Sequence, residues 1–252
     1  MRARQALDII VSALTLSIAA VPGVRAADGT WTGAAGTAWA SAANWSGAGY
    51  PSGADTATFS GSGNGNTVID LFGLSGIAFI TFSSPGAAAY TLGAGSQTLV
   101  MGTGGRFQVE ADTGNSQTVN AAVRLGTDAA AGAYAFRNDS ASRTLTFAGG
   151  VSGSAGGAAG VKTLTVSGAG DTTLSGTVAD GGASAVALLA AAQGTVTLSG
   201  ANSHSGGTAV ESGALTASHA QALGTGPVVN DGTLNLTVAQ AIALWPDLMA
   251  TG

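Results

Sequence analysis

Aliphatic residues alternate with threonine or asparagine in short stretches along much of the chain. The clearest are Thr144-Leu145-Thr146-Phe147, Thr163-Leu164-Thr165-Val166, Thr195-Val196-Thr197-Leu198, Ala214-Leu215-Thr216-Ala217 and Thr233-Leu234-Asn235-Leu236. A two-residue period with one apolar and one polar side predicts strands that bury one face. The intervals from Thr144 to Thr163, from Thr195 to Ala214 and from Ala214 to Thr233 are equal, and only that from Thr163 to Thr195 is longer. The long interval holds Ala179 to Val186, which reads as a loop inserted into one turn. Upstream, Ser96-Gln97-Thr98-Leu99 and Ser116-Gln117-Thr118-Val119 repeat at a spacing of 20. Turn residues flank the strands, as in Ser167-Gly168-Ala169-Gly170, Ser199-Gly200-Ala201-Asn202 and Asn230-Asp231-Gly232, where Gly or Asn accepts positive φ.

A period near 20 accommodates two or three strands with their turns but no crossover helix in every repeat. The expected fold is therefore all-β: a right-handed parallel β-helix, or β-solenoid, with short rungs of about 20 residues. Stacked rungs would pile Leu and Val into an apolar column and set Thr and Asn in outward ladders. The 226 residues after Ala26 would then form a rod roughly 50 Å long at about 4.8 Å per rung.

Composition sharpens this picture. Only 8% of the residues are charged and 41 of 252 are glycine, against about 25% and 7% in ordinary soluble domains. Glycine at this level suggests disorder, but 45% of the chain is hydrophobic, enough to bury a core. The absence of cysteine excludes disulfides and thiolate metal sites, so stability must come from stacking.

At the start, Arg2 and Arg4 precede an apolar run from Ile9 to Ala20, and Val24-Arg25-Ala26 carries small residues where a signal peptidase cuts. The run is too short for a membrane span, which takes about 20 residues. Removing residues 1–26 leaves 5 basic and 12 acidic residues. That balance argues against nucleic acid and anionic membrane as partners. Ala183 to Ala192, the next apolar run, is also too short to span, so no membrane segment is expected after the signal.

From Gly194 to Leu236 the chain resembles the autotransporter-associated β-strand repeat. The positions that carry the resemblance are Gly194, Leu198, Ser199, Gly200, Asn202, Gly206, Gly207, Thr208, Val210, Gly213, Leu215, Ala222, Leu223, Gly224, Gly226, Val228, Gly232, Leu234 and Leu236. His204 departs from it, standing where the repeat has an aromatic residue. Trp31, Trp39, Asn44, Trp45, Pro51, Asp55, Ala57 and Phe59 resemble the opening of many exported bacterial solenoids, and their three indoles suit a cap over the first rung.

The resemblance implies a non-catalytic passenger segment of an autotransporter-like surface protein. It would act as a spacer or presenting scaffold and reside in the periplasm, on the cell surface or outside the cell. The implied organisation is a signal peptide (1–26), an N-terminal capping segment (27–60), a β-solenoid passenger (61–237) with the clear repeat at 194–236, and a short C-terminal tail (238–252). An outer-membrane translocator barrel, absent from this chain, is the implied partner. Two other functions compete: an adhesin whose outward Thr, Asn and Trp residues contact a surface glycan or host protein, and a polysaccharide-active β-helix enzyme.

Candidate chemistry is sparse. His204 and His219 are the only histidines. Ser205 and Asp231 complete a formal Ser/His/Asp set around His204, but no G-x-S-x-G turn accompanies it. Glu110 and Asp112, with Arg106 nearby, form the one close acidic pair. Two histidines with scattered carboxylates make a poor zinc site. Gly61-Ser62-Gly63-Asn64-Gly65-Asn66 lacks the tandem Asp-bearing copies of calcium-binding solenoid repeats and reads as a turn. No catalytic, cofactor-binding or metal-ligating residue is assigned, no cofactor is implied, and enzymatic activity is not expected.

Overall fold

The structure, a computed structural model, describes residues 27–237; the expected signal peptide (1–26) and tail (238–252) lie outside the described residues. Every strand-to-strand pairing is parallel. The chain winds as a β-solenoid of about eight turns with rungs averaging about 24 residues. Two 3₁₀ turns, Ala42–Asn44 and Gly63–Gly65, are the helical content of the described residues.

Three faces make each turn. The first carries Gly53–Phe59, Ile77–Phe82, the end of Thr98–Val109, Gly132–Asn138, Gly160–Gly168, the start of Ser184–Leu198, the start of Thr208–Ala217, and Val228–Asn230. The second carries Val68–Ile69, Thr91–Leu92, Gln117–Val119, Leu145–Phe147, Thr172–Leu174, the second halves of the two long strands, and Thr233–Leu236. The third is built from Thr98–Met101, Ala122–Leu125, Val151–Ser152 and Val178–Ala179.

Alternation within each strand sends one set of side chains inward. On the first face Ala57, Ile80, Phe107, Phe136, Val166, Ala190 and Val210 lie above one another. On the second, Ile69, Leu92, Val119, Phe147, Leu174, Leu198 and Ala217 do the same. All of these side chains are buried. The columns meet across a narrow interior, where Phe136 and Phe147 stack with centroids 3.8 Å apart. Thr91, Thr118, Thr146, Thr173, Thr197 and Thr216 form an unbroken outward ladder on the second face, continued by Asn235.

Register corrects the expected period. Leu145 pairs with Thr172, Thr172 with Val196, Val196 with Leu215 and Leu215 with Leu234. The first of these steps is the longest, the second is shorter, and the last two are shortest and equal. A rung of about 20 residues, at the short end of solenoid repeats, is thus confined to the C-terminal turns. Thr163–Val166 belongs to the first face, beside Ala133–Phe136 and Ala187–Ala190, so its distance from Thr144 is no rung. Likewise Thr98-Leu99 lies on the third face and Thr118-Val119 on the second. Ala179 to Val186 is not an inserted loop but the corner between Val178–Ala179 and Ser184–Leu198. At the longer average rung, about eight turns span roughly 40 Å rather than 50 Å.

Buried amides bracket the corners. Asn138 Nδ2 donates to the carbonyls of Arg143 and Asp171 while Oδ1 accepts from the Ser140 N–H. Asn202 links three turns, its Oδ1 accepting from the Val178 N–H at 2.8 Å and its Nδ2 donating to the Ala222 carbonyl at 2.6 Å. Such groups satisfy backbone polar atoms where the ladder is interrupted.

Candidate functional site

The three tryptophans among the described residues, candidates for stacking against a glycan, face inward. Trp31, Trp39 and Trp45 are 2%, 0% and 5% exposed; Trp45 packs edge-on against Trp31, Trp39 and Phe59, and Trp31 and Trp39 lie tilted against Phe59. Each indole N–H is used internally: Trp31 Nε1 on the Asn66 carbonyl, Trp39 Nε1 on that of Pro51, Trp45 Nε1 on that of Trp39. Gly61 to Asn66 serves this cluster. Asn66 Nδ2 donates to the Gly33 carbonyl, and the Gly61 carbonyl accepts from Tyr90 Oη at 2.7 Å. Burial pushes the Tyr90 phenol up to about 12, so it remains the donor.

The formal Ser/His/Asp set does not assemble. His204 is fully buried, and its Nε2 lies 2.9 Å from Thr208 Oγ1, which donates to the Leu223 carbonyl. The Ser205 N–H donates to Asp180, while Asp231 is exposed in a turn one rung on. His219 accepts the Gln221 N–H through Nδ1. His204 thus fills the core position an aromatic would occupy.

Arg106 and Glu110 do not converge either. Both are exposed, and the extended chain between them separates them by about 13 Å. Asp112 accepts the Ser84 N–H through its side chain. Among the described residues no group of three or more His, Asp or Glu side chains gathers where it could hold a metal ion, and no helix is long and apolar enough to cross a membrane.

Two features escaped the sequence reading. Lys162 lies in the core, its Nζ 3.7 Å from Asp128 Oδ1 and 5.8 Å from the centre of the Tyr134 ring. Its parity with Leu164 and Val166 was the available signal. The other is the outer surface of the first face. Thr56, Phe79, Arg106, Ala135, Thr165, Leu189, Ala209 and Val229 follow one another outward, one per rung. Between Phe79 and Thr165 this surface sinks into a shallow depression of about 460 Å³. A second, of about 200 Å³, lies beside Arg137, Asp139 and Gln193. Arg137 Nε and Gln108 Nε2 both donate to Asp139 Oδ2 there, each at 2.7 Å.

Fold and surface together define a parallel β-solenoid with an aromatic cluster at its N-terminal end. No family model, no curated protein and no solved structure matches the chain.

Proposed function

We propose that this protein is an exported, non-catalytic passenger segment that serves as a spacer or presenting scaffold on an autotransporter-like surface protein. The observation that supports this reading is the in-register parallel stacking over about eight turns, which makes a stiff rod from a chain with few charged groups. The repeat-like residues contribute to the stacking itself: Leu198 and Leu215 fill the core, and Asn202 joins consecutive turns. Gly213, at φ 69°, occupies a site where a Cβ would collide with the Ala192 carbonyl.

Expression of the full chain in a diderm bacterial host tests the reading. Fractionation and N-terminal sequencing should find the protein beyond the inner membrane, beginning at Ala27. Retention in the cytosol with residues 1–26 intact overturns it. The adhesin reading is favoured by one observation, the open depression on the first face beside the exposed Arg106. The inward tryptophans do not serve it, and Trp45→Ala should lower stability rather than remove an exposed contact.

A further inference from the structure

We infer that the depression on the first face is a binding site for a carboxylate-bearing pyranose, a uronate or sialate unit of an acidic oligosaccharide. Its volume of about 460 Å³ falls within the range of small-ligand sites, roughly 300–1,000 Å³. Phe79 forms one side. It alternates outward between buried Ala78 and Ile80 and is half-buried, so the part of its ring that lines the depression is offered to the apolar face of a sugar.

The floor is cut low. Ala133 and Ala135 stop at Cβ, Gly104 and Gly105 have no side chain at all, and Thr165 supplies a hydroxyl at the far side. The low wall follows from the backbone: Gly104 has φ 76° and nothing within 4 Å of where a Cβ would stand, within the bulge that separates Met101 from Arg106 in the register.

Charge selects the ligand. Arg106 sits in register between Phe79 and Ala135 and forms no ion pair among the described residues. Of the carboxylates nearby, Asp28 accepts the Thr56 N–H, Asp55 the Ser52 N–H, Asp139 holds Arg137 and Gln108, and Asp128 faces Lys162, while exposed Glu110 lies about 13 Å along the chain from Arg106. A planar guanidinium with free donors beside an aromatic ring suits a carboxylate on a ring with an apolar face. The chain's net charge of −5 opposes this only at long range, and salt screens it beyond about 8 Å.

This inference goes beyond the scaffold proposal and is independent of export, because the test uses purified full-length chain. Titration calorimetry would compare an oligogalacturonate, a sialyl-oligosaccharide and a neutral gluco-oligosaccharide of similar length. The expected result is saturable binding of a carboxylated sugar, weakened by salt and about tenfold or more tighter than the neutral one. The carboxylated sugar that binds better identifies the source. Arg106→Gln should lose about tenfold in affinity for it, and Phe79→Leu, which keeps bulk but removes the ring, should lose affinity for every sugar it binds. Arg106→Gln should melt with wild type, since Arg106 is exposed, and Phe79→Leu, at a half-buried position, should stay folded with at most a small drop in melting temperature. Equal affinity for neutral and acidic sugars, no binding of either acidic sugar, or unchanged affinity in Arg106→Gln would overturn the assignment.

Discussion

His204 shows how one polar ring is tolerated inside a thin core. Thr208 gives its single hydroxyl proton to the Leu223 carbonyl, so His204 Nε2 must be the donor in their contact. That leaves Nδ1 buried with no partner. Protonation there would create a buried cation, and burial accordingly lowers the His204 pKa below its ordinary 6.5, opposed by the Val178 carbonyl and the Asp180 carboxylate. The folded state therefore binds fewer protons than the unfolded one. The stability contribution is fully present above about pH 6.5 and is lost as pH falls through the folded value. Burial pushes Asp180 up, but hydrogen bonds from Ser205 and Val186 outweigh it and hold that group below its ordinary 3.8, so it stays ionised across this window. The melting temperature should fall between about pH 7 and pH 5, and His204→Phe should flatten that slope. An unchanged slope in the variant would show that His204 is not its source. Asn138→Leu tests the corner amides: it strands several backbone groups at about 1–3 kcal/mol each, which urea titration would read as a lower midpoint.

At the scale of the strand, the stacked Phe136 and Phe147 rings join the first face to the second. Phe147→Ala should cost about 3–5 kcal/mol, measurable by chemical denaturation, because rungs on either side cannot close the gap. Gly213→Ala should be destabilising despite removing chain entropy, since positive φ and the Ala192 carbonyl both oppose a side chain there; a neutral result would mean the corner relaxes. Strand identity was legible from the alternation of Leu145, Leu164, Val196 and Leu215 with threonine. Rung identity was not. Each turn repeats that alternation on more than one face, so Thr163–Val166, a first-face strand, stood at the same distance from Thr144 as a genuine repeat. The second-face partner, Thr172-Thr173-Leu174, has Thr at its inward position and so lacks the apolar pair. The depression at Phe79 was illegible for another reason: Arg106 and Phe79 are separated by a full turn of chain, and only the bulge at Gly102 to Gly105 brings them into register.

Across the whole molecule, each turn touches mainly its neighbours, so stability should vary along the axis. Native-state hydrogen exchange should find the strongest protection around Ile80, Phe107, Phe136 and Phe147 and the weakest from Thr208 to Leu236. Uniform protection from one end to the other would contradict that.

All seven phenylalanines fall between Phe59 and Phe147, and beyond them the described core narrows to Leu, Val and Ala, with Lys162 and His204 among them. The molecule is therefore mechanically polar. Drawn out by its termini, it should surrender the slender aliphatic coils first, each releasing roughly 70 Å for about 20 residues, while the aromatic portion holds. A tether made this way lengthens under load in a set sequence and keeps its Trp-sealed end intact the longest.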